Sequence, residues 1–224
     1  RPVFVEFFNS FGITCIQGYG LSETSPVICV NRLEDNNPSS VGPALPNVKI
    51  KIAGGESVGE ILAKGDVVFR EYFKNPKATK EAFTEDGWFK TGDLGRIDEN
   101  GHVHIVGRAK NIIVTDGGKN VQPEEIEDKI NKSPLVAECL VVGKKTGRGG
   151  EEPYAVIVPD FDAYDTKFGS GLDEEEMRKH FKKIIDDVNT IIAPYKRIKG
   201  FKIQYEEFPK TSTRKIKRYL FKID

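Results

Sequence analysis

The hydrophobic periodicity of this 224-residue chain changes near residue 107, and that change limits the folds open to it. Before residue 107, apolar and polar residues alternate, as Val48 and Ile50 do between lysines, which is typical of β-strands. After it, strand patterns are interspersed with helical ones, and an apolar stripe over 177–192 indicates a long amphipathic helix. The sequence therefore predicts an α+β fold with two domains, a β-rich domain resembling a small barrel or curled sheet over 1–107 and a second α+β domain over 108–224.

Local signals place individual elements along this outline. Asn75 is a favourable N-cap for a helix that begins at Pro76, and Asp173 with Glu176 forms a capping-box pattern before the long helix. The remaining predictions are a helix over Pro2–Phe11, a strand over Ile13–Gln17, β-structure over Val41–Tyr72, hairpins about Asp98–Gly101 and Asp116–Gly118, strands at 139–142, 154–158 and 201–205, and a short basic helix from Ile216. Because a domain seldom begins inside an apolar helix, Pro2–Phe11 leads us to expect further sequence upstream.

Composition excludes some classes of partner. The 34 basic residues balance the 34 acidic ones, so nothing global favours nucleic acid, and the basic clusters near 196–199 and 214–218 are interpreted as solvated surface. The three cysteines are scattered, without the spacing of a zinc site or a disulfide framework, which favours a reducing, cytoplasmic location. No apolar run is long enough to cross a membrane.

Two segments of the first domain carry side chains suited to nucleotide binding. The run GYGLSET at 18–24 offers flexible glycines, an aromatic face, a hydroxyl and a carboxylate, which could stack a base, bind a phosphate and hold Mg²⁺ through Glu23. The run WFKTGD at 88–93 places Asp93 on a turn, where its carboxylate could accept hydrogen bonds from two ribose hydroxyls. Taken alone, each segment is explained more simply as a turn.

Three further features are ambiguous by themselves. The run GRAK at 107–110, followed by DGGKN at 116–120, lacks the spacing of a GxxxxGK[ST] phosphate loop, so a hairpin turn is the simpler interpretation. The run PKTSTRKIK at 209–217 is a cation-rich loop that would, alone, be surface. His102 and His104 could form a metal-binding pair, but exposed hairpin histidines are the favoured interpretation.

Four of these segments occur in a fixed order: GYGLSET, WFKTGD, GRAK with DGGKN, and PKTSTRKIK. Together they resemble the motifs of the adenylate-forming superfamily, which includes acyl-CoA synthetases, luciferases and the adenylation domains of peptide synthetases. The run GEILAKG at 59–65 matches another motif, and GGKNVQPEEIE at 117–127 is most similar to the long-chain fatty acyl-CoA synthetases. The resemblance implies that 1–107 is the C-terminal, distorted-barrel part of a large AMP-binding domain, and that 108–224 is a small mobile lid domain.

The resemblance also implies the chemistry. Family enzymes convert ATP and a carboxylic acid to an acyl-adenylate and pyrophosphate, and the thiol of CoA then displaces AMP. The run Gly18, Tyr19, Gly20 would bind adenine with Tyr19 stacked on the ring, Ser22 would contact the α-phosphate, and Glu23 would bind Mg²⁺. Asp93 and Arg108 would hold the ribose.

The remaining implied roles belong to the second domain. Lys215 would be the mobile catalytic lysine of the first step, Lys110 the hinge, and Gly117 and Gly118 would approach the tunnel that admits CoA. The implied partners are a fatty acid, ATP and CoA, without nucleic acid. Peripheral membrane association and oligomeric state stay open.

Two positions depart from the family pattern, because Ser22 stands where threonine is usual and Arg214 where glycine is common before the lysine. The family's Ser/Thr/Gly-rich phosphate loop precedes the motifs found here, so we expect the 224 residues alone to make no acyl-CoA. Two alternatives remain. One is a non-catalytic binding or regulatory module, and the other is an acyl-AMP ligase that passes the acyl group to a carrier protein.

Overall fold

A computed structural model of the chain describes residues 2–55, 57–169, 173–212, 214–221 and 223. The chain divides into two compact units, Arg1–Lys110 and Asn111–Asp224, and this division falls three residues after the boundary expected from the sequence. The predicted α+β class is confirmed. None of the helices in the described residues is long and apolar enough to cross a membrane.

The first unit is built on a four-stranded antiparallel sheet of order β3-β4-β5-β6, beside a small two-stranded ladder of β1 and β2. Its core contains Ile28, Ile61, Ala63 and Val103. The elements are α1 (Pro2–Ser10), β1 (Gly18–Tyr19), β2 (Cys29–Val30), β3 (Lys49–Ile52), β4 (Gly59–Lys64), α2 (Pro76–Ala82), β5 (Phe89–Ile97) and β6 (Val103–Arg108).

The second unit contains a three-stranded sheet, in which β10 pairs antiparallel with β9 and parallel with β11, and a separate hairpin of β7 and β8. Its elements are β7 (Ile113–Val114), β8 (Asn120–Val121), α3 (Pro123–Ile130), β9 (Val136–Lys145), β10 (Glu151–Pro159), α4 (Phe161–Phe168), α5 (Glu174–Ile191) and β11 (Gly200–Ile203).

The long predicted helix is confirmed as α5, whose N-cap Asp173 accepts a hydrogen bond from the amide of Glu176 at 2.7 Å. Its buried stripe consists of Met177, Phe181, Ile185 and Val188. The spacing of three and four residues keeps these side chains on one face, and each contributes roughly 1.5–3 kcal/mol of burial free energy. The predicted cap of α2 is also confirmed, since Asn75 accepts from the amide of Ala78 at 3.1 Å.

Several local predictions were wrong. Ile13–Gln17 forms no strand: a backbone hydrogen bond joins its last residue, Gln17, to the amide of Asn31 at 2.9 Å, and Ile13 and Ile16 are exposed. The strand is Gly18–Tyr19, which the sequence placed in a loop. Residues 65–72 also lie outside the strands, and Arg218–Leu220 forms a 3-10 turn in place of the helix expected from Ile216. Helix α4 was not expected.

The two hairpin histidines are buried, which contradicts the favoured interpretation of exposed side chains. His102 is 2% exposed and His104 is 6% exposed. Each imidazole hydrogen-bonds through one nitrogen to a carboxylate, His102 Nε2 to Asp35 at 2.7 Å and His104 Nε2 to Asp98 at 2.8 Å. These partners offset the cost of burying the polar rings.

Candidate active site

The first unit brings together three of the residues proposed for nucleotide binding. The Tyr19 hydroxyl donates to Asp93 Oδ2 at 2.6 Å, and Arg108 Nε lies 2.7 Å from Asp93 Oδ1. The Asp93 side chain is 6% exposed, whereas that of Arg108 is 50% exposed. The cluster therefore joins a buried carboxylate to a cation that solvent or a ligand can reach.

Strand pairing fixes this geometry. Asp93 lies opposite Arg108 in the antiparallel ladder of β5 and β6, so neighbouring backbones hold the two side chains on one face. Below Asp93, the Thr91 hydroxyl donates to the carbonyl of Ile61 at 2.8 Å and accepts from the Asp93 amide at 3.1 Å. Thr91 thus ties the part of β5 that carries Asp93 to β4. The expectation that Asp93 lies on a turn was wrong, because ladder pairing with β6 places it inside a strand.

The Tyr19 ring packs against the core of the first unit while its hydroxyl contacts Asp93. Burial raises the pKa of Tyr19 above its ordinary value, and the hydrogen bond to Asp93 acts in the same direction. The phenol therefore stays protonated and remains a donor to Asp93 at neutral pH.

Gly20 is required by a close approach of the backbone. A Cβ at this position would lie 1.7 Å from the carbonyl oxygen of Pro26, a distance that no side chain tolerates. The glycine permits the tight return of the chain after Tyr19, which leads directly into a 3-10 turn over Ser22–Thr24.

That turn presents an exposed Ser22 and a half-buried Glu23. Glu23 Oε1 accepts a hydrogen bond from the hydroxyl of Tyr72 at 2.8 Å, and its carbonyl accepts from the amide of Phe69 at 2.8 Å. Sequence reasoning did not single out Tyr72, because it occupies no motif and lies 49 residues from Glu23. Burial, with the bond to Glu23, raises the pKa of Tyr72.

Among the described residues, no group of three or more His, Cys, Asp or Glu side chains could hold a metal by itself. Glu23 supplies one carboxylate, which suits Mg²⁺, because that ion is commonly held by one or two carboxylates together with substrate phosphates. The donor type at Glu23 therefore fits a magnesium ion that arrives with a nucleotide. His102 and His104 do not form a metal pair, because both ring nitrogens of each have protein partners.

The second unit holds the predicted glycine hairpin at 115–119. The amide of Gly118 donates to the carbonyl of Thr115 at 2.8 Å, and Gly118 has a φ of 67°, a left-handed conformation suited to glycine. Asp116 Oδ1 accepts from the Thr146 hydroxyl and from the Gly150 amide at 3.0 Å. The exposed tip with Gly117 and Gly118 is thus attached to the turn between β9 and β10.

Lys215 also lies in the second unit, with an exposed side chain. Its amide donates to the Thr211 hydroxyl at 3.1 Å, and its carbonyl accepts from the Thr211 amide at 2.8 Å. Thr213, part of the same predicted segment, lies outside the described residues. Lys110 is exposed in a 3-10 turn over Ala109–Asn111, at the end of the first unit.

Not all of the basic cluster near Lys215 is solvated surface. Arg218 is half-buried and pairs with Glu127, a residue that is itself only 8% exposed. The sequence offered a partial signal, since Glu127 interrupts the apolar face of α3 between Ile126 and Ile130. The ion pair spans 91 positions and could not be inferred from local spacing.

Residues 1–73 match the family model described as AMP-binding enzyme, and residues 125–215 match the model described as AMP-binding enzyme C-terminal domain. The two matches fall on the first and second units and together cover more than two thirds of the chain. The chain belongs to the AMP-binding enzyme family.

Two relatives illustrate the range of this family. The chain is 36% identical over 229 residues to the long-chain-fatty-acid–CoA ligase FadD15 of Mycobacterium bovis, covering 95% of this chain and 37% of that protein. It is also 36% identical over 178 residues to the chloroplastic long-chain-fatty-acid–[acyl-carrier-protein] ligase AEE15 of Arabidopsis thaliana, covering 71% and 24%. This AMP-binding family chain therefore spans less than half the length of either relative.

Solved structures agree on the fold. ATP-bound MatB from Rhodopseudomonas palustris is 33% identical with a TM-score of 0.77, over 93% of this chain and 40% of that one. The o-succinylbenzoate CoA synthetase MenE from Bacillus subtilis, in complex with ATP and magnesium, is 27% identical with a TM-score of 0.75, over 97% and 43%.

Proposed function

We propose that this chain supplies the adenosine-binding residues and the catalytic lysine of an ATP-dependent ligase that joins a fatty acid to CoA through an acyl-adenylate. The observation that carries the proposal is the cluster of Tyr19, Asp93 and Arg108, in which a buried carboxylate lies between a phenol and a cation. Asp93 and Arg108 lie 74 and 89 positions after Tyr19 in the sequence, and the three side chains meet at one point, as a ribose site in this family requires.

Asp93 retains the capacity to bind a ribose. A carboxylate has about four lone-pair sites, of which Tyr19 and Arg108 occupy one on each oxygen, so ribose hydroxyls can donate to the others. The half-exposed guanidinium of Arg108 donates from the other side. Adenine would stack against the aromatic surface of Tyr19, and the Ser22 hydroxyl would meet the α-phosphate.

Electrostatics explain the remaining roles in the first step. Attack of a fatty-acid carboxylate on the α-phosphorus accumulates negative charge, which a cation stabilises in a site of low dielectric constant. Lys215 would supply that cation, and Glu23 would hold the Mg²⁺ that accompanies ATP and neutralises its phosphates. The attacking group is already an anion, so the step needs no general base.

The second step requires an approach path for the thiol of CoA. Gly117 and Gly118 lack side chains, so their hairpin can lie against the narrow pantetheine arm. A free thiol has a pKa of about 8.5, so enough thiolate is present near neutral pH for attack on an activated acyl group. Lys110, the last residue of the first unit, would be the hinge about which the second unit rotates between the two steps.

The choice of a fatty acid rests on the run at 117–127 and on the similarity to FadD15. Related proteins act on other acids or use another acceptor, as the names of MenE and AEE15 state. Acid and acceptor are therefore the parts of the proposal that most need a direct measurement. A cytoplasmic location, inferred from the scattered cysteines, belongs to the same proposal.

The first prediction concerns the adenylation step itself. The complete product of the gene should exchange pyrophosphate into ATP in the presence of palmitate, and Lys215→Ala should lower that rate by roughly 100-fold or more, as expected for loss of a cation at developing charge. The exchange should be slower with malonate or o-succinylbenzoate than with palmitate.

The matched control is Lys199→Ala, a surface cation in the same unit that has no assigned role. Unchanged exchange in Lys215→Ala would contradict the assignment of the lysine, and absence of ATP-dependent exchange with any acid would favour the non-catalytic binding module. Transfer of palmitate to a phosphopantetheinylated carrier protein in preference to CoA would favour the acyl-AMP ligase alternative.

A further inference from the structure

The loop that carries Lys215 is closed by its own backbone. The amide of Lys217 donates to the carbonyl of Pro209 at 2.9 Å, Lys210 forms an antiparallel bridge with Ile216, and the amide and carbonyl of Lys215 both bond to Thr211. The exposed Lys215 side chain therefore projects from a compact loop, whose orientation depends on what holds its two ends.

One end is held at β9. Lys210 Nζ lies 2.7 Å from Glu138 Oε1 and 2.9 Å from Glu207 Oε2, and the amide of Phe208 donates to Glu138 Oε2 at 3.2 Å. Phe208 is 2% exposed and packs with Leu140 in a small apolar cluster. This end combines apolar burial with ion pairs.

The other end is held by Arg218. Its Nη2 contacts Glu127 Oε2 on α3, its Nη1 donates to the carbonyl of Val141 on β9 at 3.3 Å, and Glu124 Oε1 lies 3.8 Å from Nη2. Glu127 also accepts from the amide of Val141 through Oε1 at 2.6 Å. The Arg218 side chain is 23% exposed and that of Glu127 is 11% exposed, so the pair is largely shielded from water.

The same cluster reaches the start of the second unit. Glu124 Oε1 accepts from the side-chain amide of Asn111 at 2.6 Å, and Asn111 follows Lys110 directly. Hydrogen bonds and ion pairs thus connect the first residue of the unit, the start of α3 and the segment immediately after Lys215.

A buried pair of this kind needs an explanation. Burial raises the pKa of Glu127 to about 7, and the Arg218 guanidinium opposes that shift by favouring the charged carboxylate. Replacing a buried ion pair by apolar residues is often neutral or stabilising, so stability alone does not account for it. Directional contacts that fix one arrangement account for it better.

Resting on the proposed function, we propose that Arg218, gripped by Glu127 and Glu124, is a positioning residue that sets the placement of Lys215 for the adenylation step. Lys215 lies three positions before Arg218, on the far side of the bridge at Ile216. A shift of about 1 Å at a reacting group can cost roughly 100-fold in rate. Loss of the Arg218 contacts should therefore lower the rate of adenylation more than the affinity for substrate.

The test measures the two half-reactions separately in the complete gene product. Arg218→Gln and Glu127→Gln should each lower kcat for palmitate-dependent ATP–pyrophosphate exchange by roughly 10- to 100-fold, with little change in the KM for ATP. Thioester formation from supplied palmitoyl-adenylate should stay within about twofold, because Lys215 acts in the first step only. Arg218→Lys should restore part of the exchange rate.

The matched control is Glu125→Gln. Glu125 lies on the same helix and pairs with Lys196 at 2.6 Å, in a segment that does not carry Lys215. This variant should leave both half-reactions unchanged.

A double-mutant cycle with Lys215→Ala decides whether Arg218 acts through the lysine. In that background, Arg218→Gln should cause no further loss of exchange. An equal fall in both half-reactions, or a full additional loss in the Lys215→Ala background, would overturn the positioning role. If Arg218→Gln unfolds, Arg218→Lys and Glu127→Gln supply the same cycle. If Lys215→Ala alone leaves exchange intact, the proposed function fails, which is distinct from a failure confined to Arg218.

Discussion

Arg214 has a φ of 60°, in the left-handed region that side chains with a Cβ seldom adopt. It occupies the position before Lys215 where the family commonly has glycine. Its amide donates to the carbonyl of Thr211 at 2.9 Å, so the loop closure that fixes Lys215 imposes this conformation. The presence of arginine in place of glycine at position 214 therefore costs conformational free energy in this loop.

Arg214→Gly should relieve that cost. The left-handed conformation costs a non-glycine residue roughly 1–2 kcal/mol, and the added freedom of glycine in the unfolded chain offsets about half of this. We expect the free energy of unfolding to rise by about 0.5–1 kcal/mol in urea titrations. Ser212→Gly, in the same loop but without a positive φ, should lower it, and stabilisation by both variants would contradict the explanation.

At the scale of elements, the hairpin of β5 and β6 carries Asp93 and Arg108 at one end and the two buried histidines at the other. His104 contacts Asp98 of the hairpin turn and the carbonyl of Ser39 at 3.0 Å, and His102 contacts the Ser40 hydroxyl at 2.9 Å. The segment around Ser39 and Ser40 is thereby fastened to the hairpin. These contacts help to hold the strands that position Asp93.

Asp98 makes part of this fastening dependent on pH. The hydrogen bond from His104 is the main cause of the lowered pKa of Asp98, below its ordinary 3.8. A carboxyl whose pKa is lowered by folding stabilises the protein at pH values above its pKa in the unfolded chain. That contribution is lost as the pH falls through the pKa of the folded state. Asp98→Asn should therefore flatten the acid side of the stability curve, measured by urea unfolding from about pH 5 down to pH values below 3.8.

The control for this experiment is Glu99→Gln, the neighbouring carboxylate in the same turn. It should keep the acid slope of the parent protein. An Asp98→Asn protein with an unchanged slope would show that the His104 contact contributes nothing to acid sensitivity.

At the scale of the whole molecule, each unit has its own apolar core. In the second unit, one large cluster joins both sheet and helices and includes the fully buried Phe181, Ile126 and Ile157. Because this cluster is buried within the second unit alone, that unit has the features of an independently folding domain. In the first unit, by contrast, Phe4, Phe7 and Phe11 are exposed on or just after α1.

Residues 111–224 expressed alone should unfold in one cooperative thermal transition with a defined near-ultraviolet circular dichroism spectrum. Within that fragment, Phe181→Ala should cost about 3–5 kcal/mol, because it leaves a cavity in the core. Ile191→Ala, at the end of the same helix and 68% exposed, should cost far less. A gradual transition without a fixed near-ultraviolet spectrum would contradict independent folding.

Local signals in the sequence determined the fold class, the caps of α2 and α5, the apolar face of α5 and the two hairpins. These features depend on contacts within a few positions, such as Asn75 with Ala78 or Asp173 with Glu176, so spacing is enough to predict them. The motifs also identified Asp93, Arg108 and Lys215 as candidates. Their roles remain proposals for experiment.

Only the tertiary structure decided which distant groups meet. The contacts of Tyr72 with Glu23, of His102 with Asp35 and of Arg218 with Glu127 span 49, 67 and 91 positions. The absence of a strand over Ile13–Gln17 has the same origin, because a strand requires a partner that lies elsewhere in the chain. Such pairings depend on how strands and helices pack in space, and a local sequence pattern does not determine that packing.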